Sequence, residues 1–198
     1  MRQGTAASLA PRRSFAPRAA RGRRLIHVAL LALVVHGATR TEAAEEHSPA
    51  ADELEARFVL QLIRYVTWPE SALPKSSPLV LGILGDDGFA ATLRRLSEGR
   101  QAQERAVEVR IVTDAASPGI HLLLIRSGDT ASLREIARQL SNTPVLTVAD
   151  HFDFPKLGGD VGLERAGDRV SFSINRRKSV RGDLEISSKL LRLASEVK

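Results

Sequence analysis

Three short runs decide what this chain can fold into. Residues 79–84 read LVLGIL, 121–125 read HLLLI and 145–148 read VLTV. None is long enough for an ordinary helix, and none alternates polar with apolar residues. The first two read as buried strands, the kind covered on both faces in a parallel sheet, and the third as a further strand. The segments around them supply the covers. Residues 53–66 carry Val59, Leu62, Ile63 and Val66 at helical spacing, with Pro69 fixing the end. Residues 89–96 and 129–140 read as helices, the second with Leu133, Ile136, Ala137 and Leu140 on one side. Residues 107–112 (VEVRIV) alternate and predict a further strand. Strands alternating with helices or loops predict an α/β fold, a mostly parallel sheet flanked by helices. Beyond residue 160 the pattern changes. DVGLE and RVSFSI flank Ala166-Gly167-Asp168, which predicts a C-terminal antiparallel hairpin. Residues 188–197 predict a closing helix with Leu190, Leu191 and Ala194 inward.

The N-terminus is a different kind of sequence. Arg12, Arg13, Arg18, Arg21, Arg23 and Arg24 precede an apolar stretch over 25–35, broken only by His27. Small residues follow, with exits after Ala38 or Ala43. Positive flank, short apolar core and small-residue exit predict a cleaved signal peptide over 1–43, and hence a periplasmic protein. The apolar stretch is short for a bilayer core of about 30 Å, which argues against the competing reading of a retained anchor. This leader distorts the charge balance. The whole chain is +6, but residues 1–43 hold 8 of its 29 Lys and Arg and 1 of its 23 Asp and Glu. The remainder has 21 basic against 22 acidic side chains. That balance argues against nucleic acid as a partner, because phosphate binding needs an excess of positive charge. Residues 44–52 are small and polar and predict a disordered lead-in. Residues 53–198 then form one domain of ordinary size. The chain has no cysteine, so disulfides and thiolate chemistry are absent and packing alone holds the domain.

The motifs that could carry chemistry are few. Gly82, Gly85 and Gly88 follow a strand and precede a helix, but their spacing is not that of a dinucleotide loop and no phosphate-loop lysine is present. Asp86 and Asp87 suit the positive end of a helix better than they suit a phosphate. A phosphoacceptor site would need a third aspartate and a downstream lysine, which the later strand ends lack. Asp150-His151-Phe152-Asp153 is the best metal or acid–base candidate, yet no second nitrogen ligand accompanies it and His121 begins a distant strand. A solvated loop is the simpler reading. No serine stands in a nucleophile elbow. The expectation is a protein without catalytic residues, metal or cofactor.

Two features suit partner binding instead. Tyr65 and Trp68, the only Tyr and Trp in the chain, sit beside Pro69 where a helix must stop. A large ring there can close the core while its N–H finds a carbonyl, or it can stand exposed as a binding anchor. Arg176, Arg177 and Arg181, with Lys178 among them, crowd one segment after the hairpin. They make either a solvated helix face or a patch for an acidic partner.

The stretches YVTWP, PLVLGILGDDGF, PVLTVAD, GGDVGL, FSIN and LEISSKLLRLA stand in an order and spacing that resembles the YfiR-like family of bacterial periplasmic proteins. The resemblance covers about residues 53–196. It implies a compact α/β domain, with a homodimer possible, and a regulatory role. The family's namesake holds an inner-membrane diguanylate cyclase inactive through that enzyme's periplasmic part. An OmpA-like outer-membrane lipoprotein draws the repressor away, cyclic-di-GMP rises and biofilm forms. The namesake's cysteine pairs have no counterpart here, so redox control does not carry over. A sensor of small ligands, using the groove beyond the strand ends at 85–88 and 150–154, is the alternative expectation.

Overall fold

The computed structural model describes residues 49–198. The leader proposed for 1–43 and the first part of the lead-in therefore lie outside the described residues. The described residues open with α1 (Pro49–Leu62), a single 3-10 turn at Ile63–Tyr65 and the short strand β1 (Val66–Thr67). It continues through β2 (Leu79–Leu84), α2 (Asp87–Ser97), β3 (Gln101–Ala102), β4 (Arg105–Val112) and β5 (Leu122–Ile125). Next come α3 (Thr130–Gln139), β6 (Leu146–Ala149), α4 (Phe154–Leu157), β7 (Val161–Ala166) and β8 (Arg169–Ile174). The last elements are α5 (Arg176–Arg181), β9 (Glu185–Ile186), α6 (Ser188–Leu193) and β10 (Glu196–Val197).

Eight strands form one sheet in the order β10-β8-β7-β6-β5-β2-β4-β3, and β1 pairs with β9 separately. The three apolar runs lie at its centre, parallel and in register: Gly82 opposes Leu123, which opposes Thr147. Within this sheet pairing is antiparallel only between β7 and β8 and between β3 and β4, and the separate β1–β9 pair is antiparallel too. The predicted fold class is therefore the observed one, a mostly parallel α/β sheet with a C-terminal hairpin.

Each central strand feeds both faces, which is why its sequence is apolar throughout. Leu79, Leu81, Ile83, Leu122, Leu124, Leu146 and Val148 pack on one side with α1, α2 and Trp68. Val80, Leu123, Ile125 and Ala149 pack on the other with Leu133 and Ala137 of α3 and with Phe154. Burial of this continuous apolar surface is the main driving force available to a domain without disulfides. Gly82 sits tightly under the second face: a Cβ there would meet Ile120 Cγ2 at 3.2 Å, and that side chain would have to give way by a few tenths of an ångström.

Three boundaries differ from expectation. The first helix starts at Pro49, so residues 49–52 belong to α1 rather than to a disordered lead-in; Ala51 is buried and Asp52 is held by an ion pair. That helix also ends at Leu62 instead of 66, because Val66 and Thr67 pair with β9. The closing helix stops at Leu193. Ala194 turns extended and Glu196–Val197 run beside β8, so the edge of the hairpin captures the chain end.

Candidate functional site

The carboxyl ends of β2, β5 and β6 point the same way, and the next residue or two after each carry charge. Arg126 directly follows β5, Asp150 directly follows β6, and Asp86 follows β2 after Gly85. Backbone bonds seat two of them: Arg126 N–H donates to Leu84 O at 3.0 Å and Asp150 N–H donates to Ile125 O at 3.2 Å. The first turns of α1 add Asp52 and Glu55, three residues apart and so on one helix face.

Arg126 is the hub. Its side chain is 1% exposed, and it lies over the Phe89 ring, 4.3 Å from the centroid. Nη2 donates to Asp52 Oδ1 at 2.9 Å and Nη1 to Glu55 Oε2 at 2.5 Å. Nε reaches Asp86 Oδ2 at 3.4 Å, and Nη1 also reaches Asp150 Oδ2 at 3.5 Å. Four carboxylates thus surround one guanidinium. Burial works against the Arg126 charge, yet the hydrogen bond to Glu55 and the negative charges around it raise its pKa above the ordinary value. Burial raises the Glu55 carboxyl, and Arg126 opposes this only in part. The second oxygen of Glu55, Oε1, is buried with no hydrogen-bond partner. Asp86 has another duty: Oδ1 accepts from Phe89 N–H at 2.9 Å and caps α2. The turn at 85–88 is therefore closed by its own aspartate, and the helix end offers no open phosphate cradle.

A cleft of about 610 Å³ opens beside this cluster, between the loop at 150–153 and β7 residues Leu163, Glu164 and Arg165. The loop lies directly on β7, where a Cβ at Gly162 would collide with the carbonyls of His151 and Phe152. His151 Nδ1 is buried there with no partner. Asp153 turns away to Lys156 at 2.6 Å, which lowers its pKa. The Asp–His couple that would orient a general base is thus not formed. Among the described residues no group of three or more His, Cys, Asp or Glu is arranged to hold a metal ion.

The structure separates the residues singled out in the sequence. Trp68 is buried, and Nε1 donates to the His121 carbonyl at 3.0 Å, so its ring closes the core rather than standing on the surface. His121 is a structural residue too. Its Nδ1 accepts from Val80 N–H at 3.0 Å and its Nε2 donates to Ala72 O at 3.1 Å, which is the neutral tautomer that its burial favours. Tyr65 is half-buried, bonded to Gln61 and lying under Lys189. Arg176, Arg177 and Arg181 are exposed on α5, far along the chain from the Arg126 cluster. Lys178 does not join them. It is fully buried and bonds Asp160 Oδ2 at 2.8 Å. Arg126 is the residue that sequence reasoning missed. The available signal was a charge placed immediately after an all-apolar strand, in register with Asp150 and one residue short of Asp86.

A model of the family described as YfiR/HmsC-like matches residues 52–195. The chain belongs to the YfiR/HmsC-like family. That span runs from within α1 through α6 and takes in the Arg126 cluster and the cleft, so the family assignment covers the whole candidate site. No curated protein matches the chain. Among solved structures, a crystal structure of a conserved domain protein from Vibrio cholerae O1 biovar eltor str. N16961 overlaps with a TM-score of 0.44 at 12% identity. It covers 76% of this chain, which in turn spans 60% of that protein. A likeness this low adds nothing to the YfiR/HmsC-like assignment. No helix among the described residues is long and apolar enough to cross a membrane.

Proposed function

We propose that this chain is an exported, non-catalytic regulator that acts by binding an inner-membrane receptor, with a diguanylate cyclase as the receptor class. The reading rests on one observation, the YfiR/HmsC-like match across residues 52–195. The site chemistry agrees with it. The charged cluster at the strand ends is internally paired, and no nucleophile–base couple accompanies it. Binding would operate as a population shift: the free regulator holds the receptor in its inactive form, and a competitor such as an OmpA-like outer-membrane lipoprotein removes it. The exposed arginines of α5, Arg176, Arg177 and Arg181, form a surface for an acidic segment of either partner. Deletion of the gene, with cellular cyclic-di-GMP measured with and without envelope stress, tests the role. A rise on deletion is the expected result, and an unchanged level under every condition rejects it.

A second reading is favoured by the cleft. An opening of about 610 Å³ beside the unpartnered His151 Nδ1 is suited to a small polar ligand that switches receptor binding. Thermal-shift screening of the purified protein against metabolites distinguishes the two. Strong stabilisation without a protein partner, lost in His151→Ala, supports a sensor.

A further inference from the structure

A pocket of about 200 Å³ lies between the last turns of α1, the 3-10 turn that follows and the turn leading into β3. It shares no residue with the cleft beside Arg126. Its floor is apolar: Ile63 is buried, and Leu60 and Val107 pack partly on the core. Its walls carry Arg57, Arg64 and Arg100, and among the described residues no aspartate or glutamate lines it. Three cations gathered without an acid hold a positive potential over the pocket, and an anion relieves their mutual repulsion.

Two of the three are uncommitted. Among the described residues, Arg64 and Arg100 make no side-chain hydrogen bond or ion pair. Arg57 gives Nε and Nη2 to Glu53 Oε1 at 3.2 and 2.6 Å, which leaves Nη1. The frame around them is fixed. β3 and β4 are joined by a two-residue loop, Gln103 and Glu104, both with positive φ, 54° and 61°. Gln103 ties that loop to the end of the helix, its Nε2 donating to Ile63 O at 2.8 Å and to Val66 O at 2.6 Å. Carbonyls near a helix end oppose an anion. Here Gln103 takes two of them, and Arg94 O at the end of α2 accepts from Glu98 N–H at 3.0 Å and Ser97 Oγ–H at 2.9 Å.

The spacing of the cations selects the kind of anion. Arg57, Leu60 and Arg64 stand at i, i+3 and i+7 on one helix stripe, so the two arginines leave the chain about 10 Å apart with Leu60 between them. Glu53 lies one turn before Arg57 and draws its guanidinium further from Arg64. A compact anion such as phosphate therefore meets one end of the stripe only. Two carboxylates joined by a short apolar spacer meet both, and the spacer covers the apolar floor. Guanidinium forks also match carboxylates, with two parallel hydrogen bonds to each. We infer that this pocket binds a small aliphatic dicarboxylate: one carboxylate at Arg64, the other toward Arg57 Nη1, the methylenes over Leu60 and Val107, and Arg100 closing from the β3 side. The inference is independent of the receptor and cleft readings, because it uses neither α5 nor residues 150–165.

The test is titration of the purified protein with glutarate and with adipate at low ionic strength, followed by calorimetry and by amide chemical shifts. At least one of the two binds with a Kd below about 1 mM, and butyrate and inorganic phosphate bind roughly tenfold or more weakly. Shifts map to residues 57–64 and 100–107. Arg64→Gln and Arg100→Gln each weaken the dicarboxylate by roughly tenfold or more, with unchanged circular dichroism and melting. Arg177→Gln on α5 leaves the affinity as it was. No binding of either dicarboxylate up to about 10 mM overturns the inference. So does phosphate or butyrate that binds as tightly, an arginine variant at 64 or 100 that keeps wild-type affinity, or shifts that map to residues 150–165 instead. None of these outcomes alters the cyclic-di-GMP result expected of a regulator.

Discussion

Two buried charge clusters lie in this domain, and they are built on opposite plans. At Lys178–Asp160 both side chains are fully buried and every oxygen of the carboxylate is used. Asp160 Oδ2 accepts from Thr147 N–H and Oγ1–H at 2.9 and 2.7 Å, Oδ1 accepts from Ser179 Oγ–H at 2.7 Å, and Lys178 Nζ also reaches Val145 O at 3.1 Å. Charge is balanced one to one. At Arg126 one cation faces four carboxylates, three of them partly exposed, Glu55 keeps a buried oxygen without a partner, and Arg126 and Asp150 line an open cleft. The first plan is that of a rivet. The second is that of a site whose energy changes when solvent, protons or a ligand arrive. A closed network is expensive to break and indifferent to its surroundings, whereas an over-charged open one is the reverse.

That contrast is broken first by unfolding experiments at the rivet. Lys178→Met strands a buried carboxylate and is expected to lower stability by about 3–5 kcal/mol in urea denaturation. Lys178→Met combined with Asp160→Asn recovers much of that loss, because removing both charges is far less costly than removing one. Arg126→Met is expected to cost less, roughly 1.5–3 kcal/mol, since Asp52, Asp86 and Asp150 rehydrate when their partner goes. A loss at Arg126 equal to that at Lys178 would erase the distinction between the two plans.

Protons sharpen it further. The Glu55 pKa is raised in the folded state above its ordinary 4.5, chiefly by burial. The folded protein then binds the proton more tightly than the unfolded chain does. Its stabilising contribution is full below pH 4.5 and is lost as pH rises through the folded value. Glu55→Gln is therefore expected to flatten the pH dependence of the melting temperature in the window above 4.5, with the wild type falling relative to the variant as pH increases. An identical profile for both proteins would remove Glu55 as the responsive group. The smallest effect sets the scale. Trp68→Phe keeps an aromatic ring in the core but is smaller than the indole and deletes the bond to the His121 carbonyl, which still accepts from Leu146 N–H at 2.9 Å. Chemical denaturation should show a loss of about 1–2 kcal/mol, the hydrogen bond together with the space the smaller ring leaves.

The sheet was legible in the sequence because its centre is written in composition: a strand buried on both faces cannot hide polar residues, and 79–84 and 121–125 contain almost none. The hairpin was legible for the complementary reason, a Gly-Asp turn between two alternating runs. What escaped was set by partners distant in sequence. β1 and β9 are two residues each and exist only because they meet. β10 looks helical until the free margin of β8 is known. Trp68 could be given its packing role from Pro69 alone, but not its acceptor. The Arg126 cluster draws on four separate stretches of chain, so no local pattern announces it. Lys178 shows the same limit in miniature. Among three arginines it reads as one more surface cation, and only Asp160, the residue directly before β7, turns it inward.

That inward turn governs how the basic helix meets anything outside. α5 is six residues long, too short to hold itself. Lys178 and Ser179 tie it to Asp160 from beneath, so it cannot tilt or unwind without baring a charge to a dry interior. Arg176, Arg177 and Arg181 therefore leave the surface from backbone positions that are tied in place beneath, while their own side chains are exposed. Under the proposal of an acidic partner, the helix would behave as a gauge in its backbone and as a glove only at its side-chain tips.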